Sequence, residues 1–206
     1  MKYLTLLILL LNSGINSNAQ PELAKQLKER YKINNGFKAA VDITIDVPGI
    51  IAPPKTIEIY SQKGKLPKIK GEGLILLPKK GFVEQFSELL EIPVHWILLE
   101  NKGNYQVYKL VSLDPKSDWV TADLKIYVKD PRIEEINLTT RESGVFLINH
   151  FYGKGKYPVR TEINFATDKF SIPLKFMGKS NVSEARETNG KVNGKIILSF
   201  TKFEVF

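Results

Sequence analysis

The chemistry available to this chain is sparse: two histidines, no cysteine, and a few neighbouring carboxylates. His95 sits in Pro93-Val94-His95-Trp96-Ile97 and His150 in Ile148-Asn149-His150-Phe151, both in apolar strand contexts where a structural histidine is the plain reading. Neither HxH nor HxxxH spacing occurs, so a metal site would have to be built from carboxylates, and none is expected. Nucleophilic hydrolysis usually places its serine on a strained elbow of the GxSxG type, which is missing. Glu134 and Glu135 are adjacent in a strand pattern and should point to opposite faces, so they are not expected to share a substrate. Glu88 and Glu91 lie at helical spacing and read as a solvated face. The triplets Asn137-Leu138-Thr139 and Asn181-Val182-Ser183 match a glycosylation acceptor and read as chance matches. No catalytic residue, metal ligand or cofactor is therefore assigned.

What the chain has in quantity is alternating apolar sequence. Leu124, Ile126 and Val128 fall on one side of a strand and Asp123, Lys125 and Tyr127 on the other, the two-residue period of a half-buried strand. A turn at Asp130-Pro131 follows, then Ile136 and Leu138 on one face, a turn at Glu142-Ser143-Gly144, and Val145-Phe146-Leu147-Ile148, apolar on both faces. Earlier, every odd position from Phe37 through Ala39, Val41, Ile43 and Ile45 to Val47 is apolar. Turn signals at short intervals predict further strands near 55–62, 67–77, 93–100, 104–112, 118–129, 132–140, 144–152, 157–166, 169–176 and 192–205. Such short connections exclude parallel crossovers, so the strands should form an antiparallel meander of about ten or eleven, long enough to coil strongly or curl toward a barrel.

Two kinds of element could cover that sheet. Leu23, Leu27 and Tyr31 recur at intervals of four in an amphipathic helix that starts near Pro21 and stops at Asn34-Asn35-Gly36. Phe82, Phe86, Leu89 and Leu90 share a second helical face within residues 81–91. The proline-bounded loop Pro48 to Pro54 carries Ile50 and Ile51 and could lie over an opening, and Ser180 to Asn193 reads as a flexible loop.

The ends and the bulk composition set the compartment. Residues 1–19 have Lys2, an apolar run from Leu4 to Leu11, and small residues at Ser17 and Ala19, the layout of a cleaved secretory signal. The run is far shorter than the ~20 residues that span a bilayer. Residues 20–206 are expected to form one domain, exported, periplasmic and soluble after cleavage, and a chain without cysteine has no disulfides to stabilise it. The formal net charge of +8 is spread over lysine-rich turns such as Lys63-Gly64-Lys65 and Lys154-Gly155-Lys156. Scattered lysines blunt strand edges and favour solubility, whereas nucleic-acid binding would need a clustered basic stripe with exposed aromatics. An anionic membrane surface remains a compatible partner; no nucleic acid is expected, and the protein should be a monomer.

The order of one helix, a long meander broken by a short helix, and the stretch LKIYVKDPRIEEINLTTRESG followed by Tyr157-Pro158-Val159-Arg160 resembles the outer-membrane lipoprotein carrier family, the LolA and LolB type. The resemblance spans nearly the whole mature chain. It implies a mainly β fold with few helices (α+β): a strongly curved, half-open antiparallel barrel with helices covering its concave face and a hydrophobic cavity that holds acyl chains. That family's best-known carriers have a functional arginine on an early strand, and the matching strand here, Phe37 to Val47, contains none. The departure points to a broader relative that binds lipid or lipid-anchored partners.

Apolar walls suffice for such a task. At about 0.8 kcal/mol per buried methylene, a chain of roughly sixteen carbons gains on the order of 12 kcal/mol. That is comparable to the estimated ~4–15 kcal/mol cost of association. The expected walls are Val41, Ile43, Ile45, Ile57, Ile59, Leu124, Ile126, Val128, Ile136, Leu138, Val145 and Leu147, with Phe82 and Phe86 as lid. The reading is thus an exported, non-enzymatic binding protein sheltering an acyl chain or lipid-anchored protein, with lipoprotein transport to the outer membrane as its specific form. The alternative is a β-sandwich or closed-barrel interaction module, in the periplasm or at the cell surface, whose second apolar face meets a protein.

Overall fold

The computed structural model describes residues 21–32, 34–48, 53–63, 65, 68–71, 89–90, 92–142, 144–167 and 192–206. The signal-like segment, the lid residues Phe82 and Phe86, the pair Glu88 and Glu91, the insertion residues Ile50 and Ile51, the strand expected at 169–176 and most of the loop expected from Ser180 lie outside them.

One complete helix, ten strands and the helical pair Leu89 and Leu90 are the regular elements of the described residues. Helix α1 spans Glu22–Tyr31, entered from an extended Pro21 and left through an extended Lys32. Glu22 in its first turn and Lys28 and Arg30 in its last complement the helix dipole. Ten residues are too few to hold a helix in water. Its stability comes instead from burying Ala24, Leu27 and Tyr31 along one face. Gly36, expected to stop the helix, instead opens the first strand.

The strands are β1 (Gly36–Asp46), β2 (Lys55–Gln62), β3 (Lys68–Lys70), β4 (Val94–Lys102), β5 (Tyr105–Ser112), β6 (Trp119–Tyr127), β7 (Arg132–Thr140), β8 (Val145–Tyr152), β9 (Pro158–Thr167) and β10 (Val192–Val205). All belong to one antiparallel sheet in the order β3-β2-β1-β10-β9-β8-β7-β6-β5-β4. The architecture is therefore mainly β in a single half-open sheet, and the two-layer sandwich alternative is set aside. The meander holds from β4 to β10 and from β1 to β3, and the two runs are joined by pairing β1 with β10, from Phe37 opposite Val205 to Asp46 opposite Lys195. That pairing sets the first strand beside the last and leaves β3 and β4 as the edges of the sheet formed by the described residues.

The sheet is strongly curved. Strands β2 and β5 stand seven places apart, about 34 Å if laid flat at ~4.8 Å per strand. A ten-residue helix is only ~15 Å long. Yet Ile57 and Ile59 of β2, Tyr108 and Leu110 of β5, and Leu27 and Tyr31 of α1 belong to one buried cluster. A flat sheet with one such helix could not bury residues so far apart across it, so the sheet bends around its inner face.

Bulges help it bend. Register shifts fall between Ala40 and Val41 where β1 meets β10, between Trp119 and Thr121 and between Lys125 and Ile126 where β6 meets β7, and at Phe151/Tyr152. An extra residue increases local twist and turns the strand. Each shift leaves a trace in the sequence, because it returns residues three apart to the same face: Trp119 and Ala122 are both buried, as are Ile133 and Ile136. The same shift overturns the expected alternation at Glu134 and Glu135. Both sit half-buried between the two core isoleucines, and neither joins the core.

Candidate functional site: the concave apolar face

Strand pairing arranges the inner side chains into rows that run across the sheet. One row comprises Ile45, Ile196, Ile163, Ile148, Ile136, Leu124 and Tyr108, each opposite the next on the neighbouring strand. Beside it run Gly194, Phe165, Phe146, Leu138, Ala122, Leu110 and Trp96. Gly194 is required by the close approach there, since a Cβ would collide with the Phe165 ring and crowd Val47. On the other side, the third row begins Ile43, Leu198, Thr161, His150.

The two ends of this surface differ. Towards Tyr31 and Tyr152 the interior is closed by packing: Leu124, Ile126, Ile133 and Leu198 have no exposed surface, and Val41, Ile57 and Ile136 retain 2% or less. Towards the other end Ile45, Ile196, Phe146, Leu138, Val94 and Trp96 pack against the core yet stay partly accessible. The indole N–H of Trp96 has no acceptor among the described residues. Among the described residues the concave face is thus fully buried around Leu124, Ile126 and Ile136 and partly accessible around Ile45, Ile196, Phe146 and Leu138.

Of the expected walls, Val41, Ile43, Ile57, Ile59, Leu124, Ile126 and Ile136 come together in the buried cluster, with Ile45 and Leu138 packed against it. Three do not. Val128 lies beyond the end of β6 in the turn, its N–H donating to the Asn104 carbonyl at 2.9 Å. Val145 and Leu147 are 43% and 38% exposed, on the convex side, because Phe146 and Ile148 are the inward-facing residues of β8. Of the second cover, the described residues Leu89 and Leu90 are helical and buried in the core. Leu110, Trp119, Ala122, Ile133, Ile148, Ile163 and Leu198 were not among the expected walls; the alternating pattern of their strands could have named all but Trp119 and Ile133, which the bulges set three residues from their inward-facing neighbours.

The closed end is tied by polar groups. The Ile133 N–H donates to the Tyr31 hydroxyl at 3.0 Å, the Tyr31 and Tyr152 hydroxyls are 2.6 Å apart, and the Tyr152 hydroxyl donates to the Ile133 carbonyl at 2.7 Å. The outer two bonds fix the middle one, with Tyr31 donating to Tyr152. Burial pushes the pKa of both phenols up, so both stay protonated. Outside this ring Arg30 reaches Asp130 at 2.6 Å, and Arg132 lies over the rings of Tyr127 and Tyr152 while pairing with Glu134 at 3.0 Å.

His150 is buried in the core. Its Nδ1 lies 2.9 Å from the Thr161 hydroxyl, and desolvation lowers its pKa to about 3, so it is neutral at physiological pH. His95 lies exposed on β4. Among the described residues no group of three or more His, Asp or Glu side chains could hold a metal ion, and no helix is long and apolar enough to cross a membrane.

No protein-family model and no curated protein matches this chain. Solved structures do. A LolA superfamily protein from Nitrosomonas europaea aligns over 89% of this chain and 92% of its own, with a TM-score of 0.57 at 9% identity. The chain has a LolA-type fold. A DUF1329 family protein from Desulfovibrio piger aligns over 89% of this chain and 90% of its own, with a TM-score of 0.53 at 6% identity. At such identities the likeness is one of architecture, and it matches the half-open sheet that the sequence resemblance implied.

Proposed function

We propose that this protein is an exported, non-enzymatic binding protein that shelters an acyl chain, free or attached to a protein, in the open end of its LolA-type half-barrel, as a carrier of lipid or lipoprotein cargo toward the outer membrane. One observation carries the reading: Ile45, Ile196, Leu138 and Phe146 are apolar, inward-facing and partly accessible, in rows continuous with the buried core. A sheet that only needed a core would close over these side chains. Apolar walls with few polar anchors suit a ligand recognised by its hydrocarbon. The packed end limits how far such a chain can enter, stopping it short of the Tyr31, Tyr152 and Ile133 ring. The signal-like first nineteen residues support export, and the lysine-rich turns suit a monomer that visits anionic membrane surfaces.

Native mass spectrometry of the purified protein, with a fluorescent fatty-acid titration, tests this. Bound lipid or saturable uptake is expected, weakened at least tenfold in Leu138→Lys; neither co-purified lipid nor saturable uptake would refute it.

A further inference from the structure

The two edge strands of the described sheet are built differently. Strand β3 is three residues long and reads Lys68-Ile69-Lys70, so lysines flank its single apolar residue. That is the usual protection against strand-to-strand association. Strand β4 is nine residues long and, among the described residues, paired only with β5. From Val94 to Leu99 it carries no proline, lysine or carboxylate, and Ile97, Leu98 and Leu99 are 46%, 50% and 46% exposed. Its pairing with β5 is regular from Val94 to Leu98, and the register shifts only at Leu98/Glu100. The outer side of β4 therefore offers a row of backbone donors and acceptors over at least five residues, flanked by apolar side chains on both faces.

We propose that this edge receives an extended polypeptide segment by strand addition. The chemistry of the edge selects the partner: backbone groups call for another backbone, and with Trp96 and Leu98 on one face and Ile97 on the other, the incoming strand should be uncharged and apolar on both faces over about five residues. A second copy of the chain fits less well. A stable dimer buries roughly 800 Å² per partner, whereas the exposed apolar surface here is Ile97, Leu98, Leu99 and, beside Pro93, Leu113, each only about half exposed. Pairing β4 with the β3 of another copy would set a nine-residue strand against a three-residue one.

The test uses the whole protein and a capped seven-residue peptide in which five consecutive valine and leucine residues are flanked by serines, titrated alongside the same peptide N-methylated at alternate amides. Saturable binding of the plain peptide is expected, lost on N-methylation and weakened at least tenfold in Ile97→Lys, a variant that should melt like the parent because Ile97 is half exposed. Fatty-acid uptake by Ile97→Lys should equal that of the parent, which separates this edge from the cleft. Failure of the plain peptide to bind, or equal binding of the N-methylated peptide, would overturn the proposal. So would a concentration-dependent dimer in sedimentation that Ile97→Lys abolishes, since the edge would then serve a second copy.

Discussion

The hydroxyl of Tyr31, at the end of α1, lies 2.6 Å from the hydroxyl of Tyr152 at the end of β8, and the pair closes a hydrogen-bonded ring through the N–H and C=O of Ile133. Pairing of β7 with β8 begins at Glu135 opposite Asn149, so Ile133 lies beyond the ladder. Two side chains satisfy backbone groups that a neighbouring strand would otherwise satisfy. The helix is thereby tied to the sheet where the half-barrel closes.

Breaking that ring should cost more than one ordinary hydrogen bond. Tyr31→Phe leaves the buried Ile133 N–H without its acceptor and the Tyr152 hydroxyl without its donor, and the expected loss is about 1–3 kcal/mol. Tyr152→Phe should cost a similar amount. The double variant should lose clearly less than the two single losses added together, because each change disables the same ring. Urea unfolding of all four proteins measures this, and simple additivity would count against the ring as a unit.

His150 should give the stability a pH dependence of definite sign. Its folded pKa, about 3, lies below the ordinary 6.5 because burial disfavours the imidazolium. The unfolded chain therefore takes up a proton below pH 6.5 while the folded chain does not, and stability present above 6.5 is lost as pH falls toward 3. The limiting slope is about 1.4 kcal/mol per pH unit. Denaturation midpoints followed from pH 7.5 to 4.5 should fall more steeply in the parent than in His150→Asn, and parallel curves would contradict the assignment.

Gly194 should be intolerant of any side chain. A Cβ at this position meets the Phe165 ring and Val47, so Gly194→Ala is expected to destabilise by about 1–3 kcal/mol through overpacking. Phe165→Leu in the same chain should recover part of that loss. Thermal melts of the two variants decide it, and a Gly194→Ala protein as stable as the parent would show that the aromatic row has slack.

Much of this architecture was legible because a half-buried strand writes its period into the residues. Phe37 to Val47, Leu124 to Ile126 and the helix carrying Leu27 and Tyr31 lie where alternation and fourfold spacing put them. What failed did so for physical reasons. Val145-Phe146-Leu147-Ile148 is apolar throughout, so its period could not say which pair faces inward. The following His150 and Tyr152, both inward-facing, share the parity of Phe146 and Ile148 and could have settled it. The pairing of β1 with β10 leaves no local trace, since its partners, from Phe37 opposite Val205 to Asp46 opposite Lys195, are far apart in the chain. The bulges do leave one, in apolar residues three apart inside strand patterns, as at Ile133 and Ile136. The tyrosine ring could not have been foreseen from spacing, because Tyr31, Ile133 and Tyr152 meet only once the sheet has curved around the helix.

The central claim is that the open end of the concave face holds hydrocarbon. The chain has two tryptophans, Trp96 and Trp119. Trp96 shares a row with Leu138 and Phe146, and Trp119 starts β6 at the same end. Titration with a stearic acid carrying a nitroxide on its chain therefore reports on the cleft directly through tryptophan emission. Saturable quenching that reaches both tryptophans and is reversed by unlabelled fatty acid is the predicted result; emission that stays unchanged, or falls only in proportion to free nitroxide, would contradict it.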